Sequence, residues 1–154
     1  RFMLMIQIDY PTFEDEVEVV RRTTYGTDAQ IEPALSPDDL VAIQDAVRQV
    51  PVSDHAIEYA VNLVRRTRPA DERASEFVRS YVGWGAGPRA SQNIILAGKS
   101  RALLNGRHTV SREDIKALAL PVLRHRVVTN FHAEAEKIDS VAIIEHILRD
   151  MDNS

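Results

Sequence analysis

The residues whose types and spacing could support chemistry are concentrated in one run, Gly85-Ala86-Gly87-Pro88-Arg89-Ala90. Glycines allow the backbone to turn, and a proline suits the first turn of a helix because its missing N–H needs no partner there. The run therefore predicts that Arg89 lies within the first turn of a helix. A guanidinium at that place has the donor geometry to bind a phosphate, assisted by the free N–H groups of the helix start. From this run alone, an ordinary surface arginine at a helix start remains the alternative.

No other pattern completes an active site. Gly98-Lys99-Ser100 looks like the end of a phosphate-binding P-loop, but Asn93 stands where that loop requires its first glycine, and no strand is predicted before it. We interpret these residues as the middle of a helix. No metal site is predicted, because the histidines lack the spacing of known zinc motifs. A free-standing enzyme is therefore not expected. The histidines are His55, His108, His125, His132 and His146.

The composition is that of an ordinary globular protein. Its 154 residues, 44% of them apolar, suffice to bury the core of one domain, or of one domain and part of another. The formal net charge of −4 gives no overall attraction to nucleic acid or to an anionic membrane, so neither partner is expected. There is no cysteine, and no apolar stretch reaches the roughly 18 residues of a membrane-spanning helix. Because the chain begins at Arg1 rather than at methionine, we interpret it as a piece of a longer protein.

The first 25 residues predict a strand followed by a helix. The segment Phe2-Met3-Leu4-Met5-Ile6-Gln7-Ile8 is apolar on both alternating faces, which is typical of a strand buried on both sides within an α/β sheet. The other strands of such a sheet would have to lie upstream or in a partner. Thr12 is predicted to cap a helix with an acidic first turn and with Arg21 and Arg22 in its last turn.

The rest of the chain predicts further helices. A long helix is expected over residues 89–105, and a last helix is expected to be capped by Ser140. Pro121 is predicted to end or kink the helix in which it lies. The matching contexts of Val52 and Val110 favour short extended segments that pair with each other. Three serines follow an apolar residue that could pack on the fourth helical residue, which is the pattern of a capped start: Ser36, Ser53 and Ser111.

A cluster of arginines lies in and after the charged loop at residues 65–73. The usual interpretation of such a charge run is a solvated, mobile loop. Alternatively, the chain could be a non-enzymatic helical module that binds an acidic protein or nucleic acid, an interpretation that the acidic net charge opposes. The candidate side chains for such binding are Arg65, Arg66, Arg68, Arg73 and Arg79.

Five segments of the chain form an ordered series: Arg1-Phe2 before the predicted strand, Arg66-Thr67-Arg68, the run from Gly85 to Ala90, Val122-Leu123-Arg124-His125-Arg126, and Asn130-Phe131-His132-Ala133-Glu134-Ala135-Glu136. In this order they resemble the C-terminal part of a MoxR-family AAA+ ATPase. The resemblance covers nearly the whole chain. That family commonly has serine where this chain has Gly87, a change expected to alter the flexibility of the turn more than its chemistry.

The resemblance implies a mainly α fold, in which a helical-bundle AAA+ lid domain is preceded by one buried strand and a helix from the α/β core. Residues 1–25 would be the C-terminal end of that core, and residues 26–154 would be the lid domain. Arg89, with Pro88 beside it, would approach the terminal phosphate of the nucleotide as a sensor-2 arginine. Arg1 would match an arginine finger that reaches the site of a neighbouring subunit.

For the longer protein, the resemblance implies ATP hydrolysis with Mg²⁺, because the P-loop lysine, the Walker-B acids and the magnesium site would lie upstream. This chain alone is not expected to bind ATP tightly or to hydrolyse it. The resemblance further implies a cytoplasmic homo-hexameric ring that remodels or helps to assemble protein clients, often with a von Willebrand factor A-domain protein as partner.

Overall fold

The computed structural model describes residues 2–25 and 31–153, and within these ranges the chain is mainly helical. The predicted fold class is thereby confirmed. The domain boundary between residues 25 and 26 adjoins residues 26–30, which lie outside the described ranges, and it stays a prediction. The elements are α1 (Phe13–Thr24), α2 (Pro37–Gln49), α3 (Asp54–Arg66), α4 (Glu76–Tyr81), β1 (Val82–Trp84), α5 (Pro88–Leu104), α6 (Arg112–Leu123), β2 (Val128–Thr129), α7 (Phe131–Ala135) and α8 (Ser140–Asp152).

The predicted helix starts are confirmed at α1, α2, α3 and α6. The side chains of Ser36, Ser53 and Ser111 each accept a hydrogen bond from the backbone N–H three residues later, and the predicted threonine does the same at α1. These bonds satisfy N–H groups that have no partner within the helix. At α8 the capping residue is Asp139 rather than Ser140, because the aspartate carboxylate accepts the N–H bond while the serine hydroxyl donates to a carbonyl after α6.

The core lies between α3, α5, α6 and α8. α5 packs against α2, α3 and α6, and α6 packs against α8. By contrast, α1 and α2 contain no buried residue. No helix among residues 2–25 and 31–153 is long and apolar enough to cross a membrane. Each fully buried Leu or Ile stabilises the fold by about 1.5–3 kcal/mol. The central ones are Leu63, Ile94, Ile115, Leu123, Ile143 and Ile144.

The two strands form a small antiparallel sheet that supports the glycine-rich run. Val82 pairs with Thr129, and Trp84 pairs with Val128, with an irregularity between these pairs. The sheet therefore joins the residues immediately before Gly85 to the segment that follows α6. The extended pairing predicted around Val52 and Val110 is wrong, since neither residue lies in a strand.

The N-terminal segment differs from the predicted buried strand. Residues 2–10 form no strand, and Ile6 and Ile8 are 75% and 88% exposed. A strand satisfies its N–H and C=O groups through a neighbouring strand, and no described residue provides one. Instead, the Met5 N–H donates to the Pro121 carbonyl of α6 at 2.7 Å. The alternating apolar pattern is present in the sequence, but the described residues do not form a sheet that buries it.

Pro121 lies inside α6, and the helix continues past it to Leu123. The sequence predicted an end or a kink near Leu120, because an interior proline removes one helical hydrogen bond. Val122 and Leu123, which follow the proline, are fully buried. We attribute the continued helix to the burial of these side chains, which offsets the lost hydrogen bond.

Asp114 on α6 is a fully buried acid that forms an ion pair with α5. Its carboxylate accepts hydrogen bonds from Arg101 on α5 at 2.6 Å, from both terminal nitrogens of Arg107 at 2.5 Å, and from the Ser111 backbone N–H at 2.9 Å. These donors, the Arg107 guanidinium foremost, hold the pKa of Asp114 well below its usual range. The C-terminal half of α5 is thus tied to the first turn of α6.

We expect Asp114→Asn to lower the free energy of unfolding by about 2–3 kcal/mol, because it leaves two arginines without their buried counter-ion. The value lies below that of a fully enclosed ion pair since both guanidiniums remain more than one third exposed. Urea unfolding at pH 7 measures the change. Asp39→Asn is the matched control, because Asp39 occupies the same capping-box position in α2 but is exposed and has no arginine partner; it should change stability little.

The same ion cluster predicts a pH dependence. The pKa of Asp114 is depressed in the folded state, so its stabilisation is present above the ordinary aspartate pKa of about 4 and is lost as the pH falls below that value. Wild-type stability should therefore fall more steeply below pH 4 than that of Asp114→Asn. Equal slopes for the two proteins in urea unfolding between pH 2 and pH 5 would contradict this account.

Candidate functional site

The glycine-rich run connects β1 to α5 and presents Arg89 at a helix start. Gly87 is the capping residue of α5, Pro88 is its first residue and Arg89 its second, as the sequence predicted. Unlike the other long helices, α5 has no side-chain hydrogen bond at its cap. Arg89 is exposed. Its guanidinium makes no hydrogen bond or ion pair with any residue in the described ranges, so its charge is available to an external anion.

The run is held in place by the turn that ends α3. Thr67 is fully buried there, and its hydroxyl oxygen accepts the Ala86 backbone N–H at 2.9 Å while the hydroxyl donates to the Val64 carbonyl at 2.6 Å. The Arg68 Nε donates to the Ala86 carbonyl at 2.8 Å. Both backbone groups of Ala86 are therefore paired with the α3 turn. This fixes the loop that determines where α5 and its arginine begin.

Gly85 is required by this close approach. A Cβ added at Gly85 would lie 2.7 Å from the Arg68 Cα and still closer to the Thr67 carbonyl oxygen. Both are backbone atoms that cannot move aside without shifting the α3 turn. A Cβ added at Gly87 would meet nothing within 4 Å, and the φ of −82° there is accessible to any residue. The two glycines thus differ: Gly85 is required for packing, whereas neither packing nor backbone conformation requires a glycine at position 87.

A second cation lies on the side of Arg89. The Arg126 guanidinium donates to the carbonyls of Phe2 at 2.5 Å and Met3 at 3.2 Å, and to that of Val122 on α6. Burial lowers the pKa of Arg126, and the nearby positive charge of Arg89 lowers it further. The two positive charges therefore interact, and the charge of Arg126 adds to the attraction of Arg89 for an anion.

Two cavities flank the run. One of about 460 Å³ is bordered by Pro69, Trp84 and Pro88, and the exposed fraction of the Trp84 side chain is 74%. The other, of about 560 Å³, lies between α3 and α5 and has an apolar floor that includes Ile57 and Leu96. Pro88 lines both cavities, which places it beside any molecule bound there. The part of Pro88 in cofactor binding stays a prediction, and Arg1 lies outside the described residues.

The arginine-rich loop contains internal bonds. Arg65 pairs with the nearly buried Asp71 at 2.6 Å, and the Arg73 backbone N–H donates to the same carboxylate at 3.1 Å. The Arg79 Nε donates to the Ala74 carbonyl at 3.2 Å. These bonds link parts of the loop to one another, while the Arg65 and Arg73 side chains remain about half exposed, so the mobility expected from the charge run stays a prediction. Four of the five side chains considered for nucleic-acid binding instead bind the protein's own backbone and carboxylates, and Arg66 is the exception.

The P-loop-like residues lie in the middle of α5, as predicted. Gly98 has a packing role: a Cβ added there would lie 3.0 Å from Val110 Cγ1, in the segment before α6. No group of three or more His, Asp or Glu side chains in the described part of the chain is arranged to hold a metal ion. The described residues thus offer one prominent chemical feature, the cation at the start of α5.

Sequence reasoning missed the residues that position this cation. In the sequence, Thr67 and Arg126 stand out only as members of segments that resemble the family. Their roles beside Arg89 are not predicted. A single threonine between two arginines carries no local signal that its hydroxyl binds a backbone N–H 19 residues away. The proximity of Arg126 to Arg89 also depends on tertiary packing.

We expect opposite outcomes at the two glycines. Gly85→Ala should lower the free energy of unfolding by about 1–3 kcal/mol, because the new methyl group overlaps backbone atoms. Gly87→Ser should raise it by about 0.5–1 kcal/mol, because serine can cap α5 and has fewer unfolded conformations than glycine. Chemical denaturation of the two variants measures both changes. Equal destabilisation by the two substitutions would contradict the distinct roles.

Comparisons with known proteins identify one protein family and two similar sequences. Residues 74–147 match the family model described as the AAA lid domain. The chain is 35% identical over 149 residues to Chaperone MoxR1 of Mycobacterium tuberculosis, covering 97% of this chain and 39% of that protein. It is 30% identical over 149 residues to the uncharacterised protein YeaC of Bacillus subtilis, covering 96% of this chain and 44% of that protein.

A solved structure also resembles this chain. The crystal structure of a candidate ATPase from Cytophaga hutchinsonii superposes with a TM-score of 0.88 at 37% identity, covering 97% of this chain and 46% of that one. The chain thus spans less than half the length of the proteins that it matches. With a lid-domain match, two similar sequences and one similar structure in agreement, the chain belongs to the MoxR-like AAA+ proteins and contains their AAA lid domain.

Proposed function

We propose that this chain supplies the sensor-2 arginine of a MoxR-like ATPase, and that Arg89 is that residue. The observation that carries the proposal is the combination of an exposed guanidinium, at the second position of α5, with the absence of any hydrogen-bond or ion-pair partner in the described ranges. Surface arginines at helix starts are common, but here the preceding loop is fixed on both backbone groups of Ala86. A rigidly mounted, unpaired cation suits recognition of a phosphate.

ATP, bound in the longer protein, would supply the phosphoryl group whose developing charge needs stabilisation. The residues of this chain fit one part of that site. Arg89 would donate to the terminal phosphate, and Arg126 would add positive charge from behind. Pro88 would contact the nucleotide from the cavities that it borders. Since phosphoryl transfer depends mainly on positioning and charge neutralisation, a correctly placed arginine can raise the rate substantially.

The remaining parts of the activity belong to the longer protein. We propose that it binds Mg²⁺ through residues upstream of this chain, because the described residues offer no suitable cluster of carboxylates. It would act as a homo-hexameric ring that couples ATP hydrolysis to the remodelling or assembly of protein clients, with a von Willebrand factor A-domain protein among its partners. Arg1 would serve as an arginine finger toward a neighbouring subunit.

The alternative of a module that binds nucleic acid or an acidic partner through the whole arginine cluster has less support. Its candidate cations Arg65, Arg68 and Arg79 are engaged with groups of the same chain. The formal net charge of −4 also opposes binding to a polyanion.

In the full-length protein that contains this chain, we expect Arg89→Ala to lower the rate of ATP turnover by roughly 10- to 150-fold, the range given by the loss of one charge-assisted hydrogen bond. Steady-state phosphate release at saturating ATP measures this effect. Thermal unfolding should be nearly unchanged, because the Arg89 guanidinium makes no hydrogen bond or ion pair with a described residue that its removal would break.

Arg149→Ala is the matched control, since Arg149 is also an exposed helical arginine whose side chain lacks a hydrogen bond or ion pair within the described residues. It should leave turnover near the wild-type rate. The sensor role would be rejected if Arg89→Ala hydrolysed ATP as fast as the wild-type protein while remaining folded.

A further inference from the structure

A third cavity lies away from the glycine-rich run, between α3, the start of α6 and the end of α8. Its volume is about 450 Å³, within the range of pockets that hold small molecules. Unlike the cavities beside Pro88, its lining is mostly polar. The lining residues that matter for its chemistry are Glu58, Tyr59, Asn62, Arg66, Arg112 and Met151.

Three of these residues carry buried polar atoms without a partner. The Tyr59 hydroxyl oxygen, the Asn62 Oδ1 and the Arg66 Nε are shielded from solvent and make no hydrogen bond. Their spacing of three and four residues places them along one face of α3. Buried donors and acceptors are nearly always paired, so three unpaired atoms on residues that line one cavity indicate a missing occupant.

Arg66 differs from its arginine neighbours. Arg65 pairs with Asp71, and both Arg101 and Arg107 pair with Asp114. The half-buried side chain of Arg66 has no hydrogen bond and no ion pair with any residue of the described ranges. Partial burial of a guanidinium without a counter-ion is unfavourable, and a bound anion would remove that cost.

The surroundings narrow the chemistry of the anion. Burial raises the pKa of Tyr59, so its hydroxyl remains a hydrogen-bond donor at neutral pH. The Arg112 guanidinium lies over the Tyr59 ring, with Cζ 5.2 Å from the ring centroid, and adds positive charge. Glu58 on the lining opposes a doubly charged ligand. A planar monoanion matches the fork of an arginine, and Met151 offers apolar contact for an attached carbon chain.

We propose that this cavity binds a carboxylate group, with Arg66 as its counter-ion and the Tyr59 hydroxyl as a second donor. The Asn62 carbonyl oxygen would accept an N–H from the same ligand, as an acylated amino acid or a peptide supplies. The carboxylate comes either from a small molecule or from an acidic side chain of a protein. This site is independent of Arg89 and of the proposed ATPase role.

The test is a titration of the ¹⁵N-labelled chain followed by two-dimensional NMR, at constant ionic strength and pH 7. The probes are N-acetylglycine, the peptide acetyl-Ala-Glu-Ala-amide, its Gln counterpart acetyl-Ala-Gln-Ala-amide, and inorganic phosphate. We expect both carboxylate probes to cause saturable shifts at residues 58–66 and at the Arg66 Nε–H signal, and the Gln peptide to cause none.

Arg66→Gln should weaken binding of the carboxylate probes roughly tenfold or more. Arg22→Gln, which removes an exposed arginine of α1, should leave it unchanged.

The NMR titrations distinguish the two sources of the carboxylate and can also contradict the proposed site. Tighter binding of N-acetylglycine would support a small-molecule ligand, and tighter binding of the Glu peptide would support a protein side chain. Shifts that grow linearly without saturation, shifts that persist in Arg66→Gln, or saturable binding of phosphate alone would overturn the proposal. If Arg66→Gln fails to fold by circular dichroism, Arg66→Lys and Tyr59→Phe take its place, and unchanged affinity in both would equally overturn it.

Discussion

The position of Arg89 depends on one contact, the approach of the glycine-rich run to the turn at the end of α3. The Thr67 hydroxyl accepts the Ala86 N–H, and this approach is possible only because Gly85 has no side chain. A helix start is usually free to shift with the loop before it. Here the Thr67 hydroxyl and the Arg68 side chain bind the loop, so the first turn of α5 is held in a fixed position relative to the turn at the end of α3.

The second constraint lies at the opposite end of α5. Asp114 binds Arg101 on α5 and Arg107 in the loop that follows, while its backbone belongs to the capping box of α6. A buried carboxylate is tolerated because every side of it is occupied by a donor. The N-terminal elements contrast with this arrangement, since α1 and α2 carry apolar side chains that the chain itself does not bury. Stability is thus concentrated in the region that contains the lid-domain match.

Local features of this fold could be predicted from the sequence, because they depend on neighbouring residues. The capping serines, the start of α5 at Pro88 and the helical state of Gly98-Lys99-Ser100 all follow from short-range geometry. The apolar pattern of residues 2–8 predicts a buried strand, and that prediction is wrong because a strand forms only beside another strand. The partners of Thr67 and Asp114 could not be predicted, since they are chosen by tertiary packing and single side chains give no periodic signal. The same holds for the charge of Arg126 beside Arg89.

The length of α5 has a mechanical consequence. Its 17 residues correspond to a rod of about 25 Å, with Arg89 near one tip and Arg101 close to the other. Because Arg101 is clamped to α6, the rod cannot pivot independently of that helix. A tilt of about 10° at Arg89 would then displace Arg101, about 18 Å away along the helix, by about 3 Å, given the rise per residue of a helix. A displacement of the Arg89 guanidinium by about an ångström would in this way also move the opposite end of α5 and the surface around it.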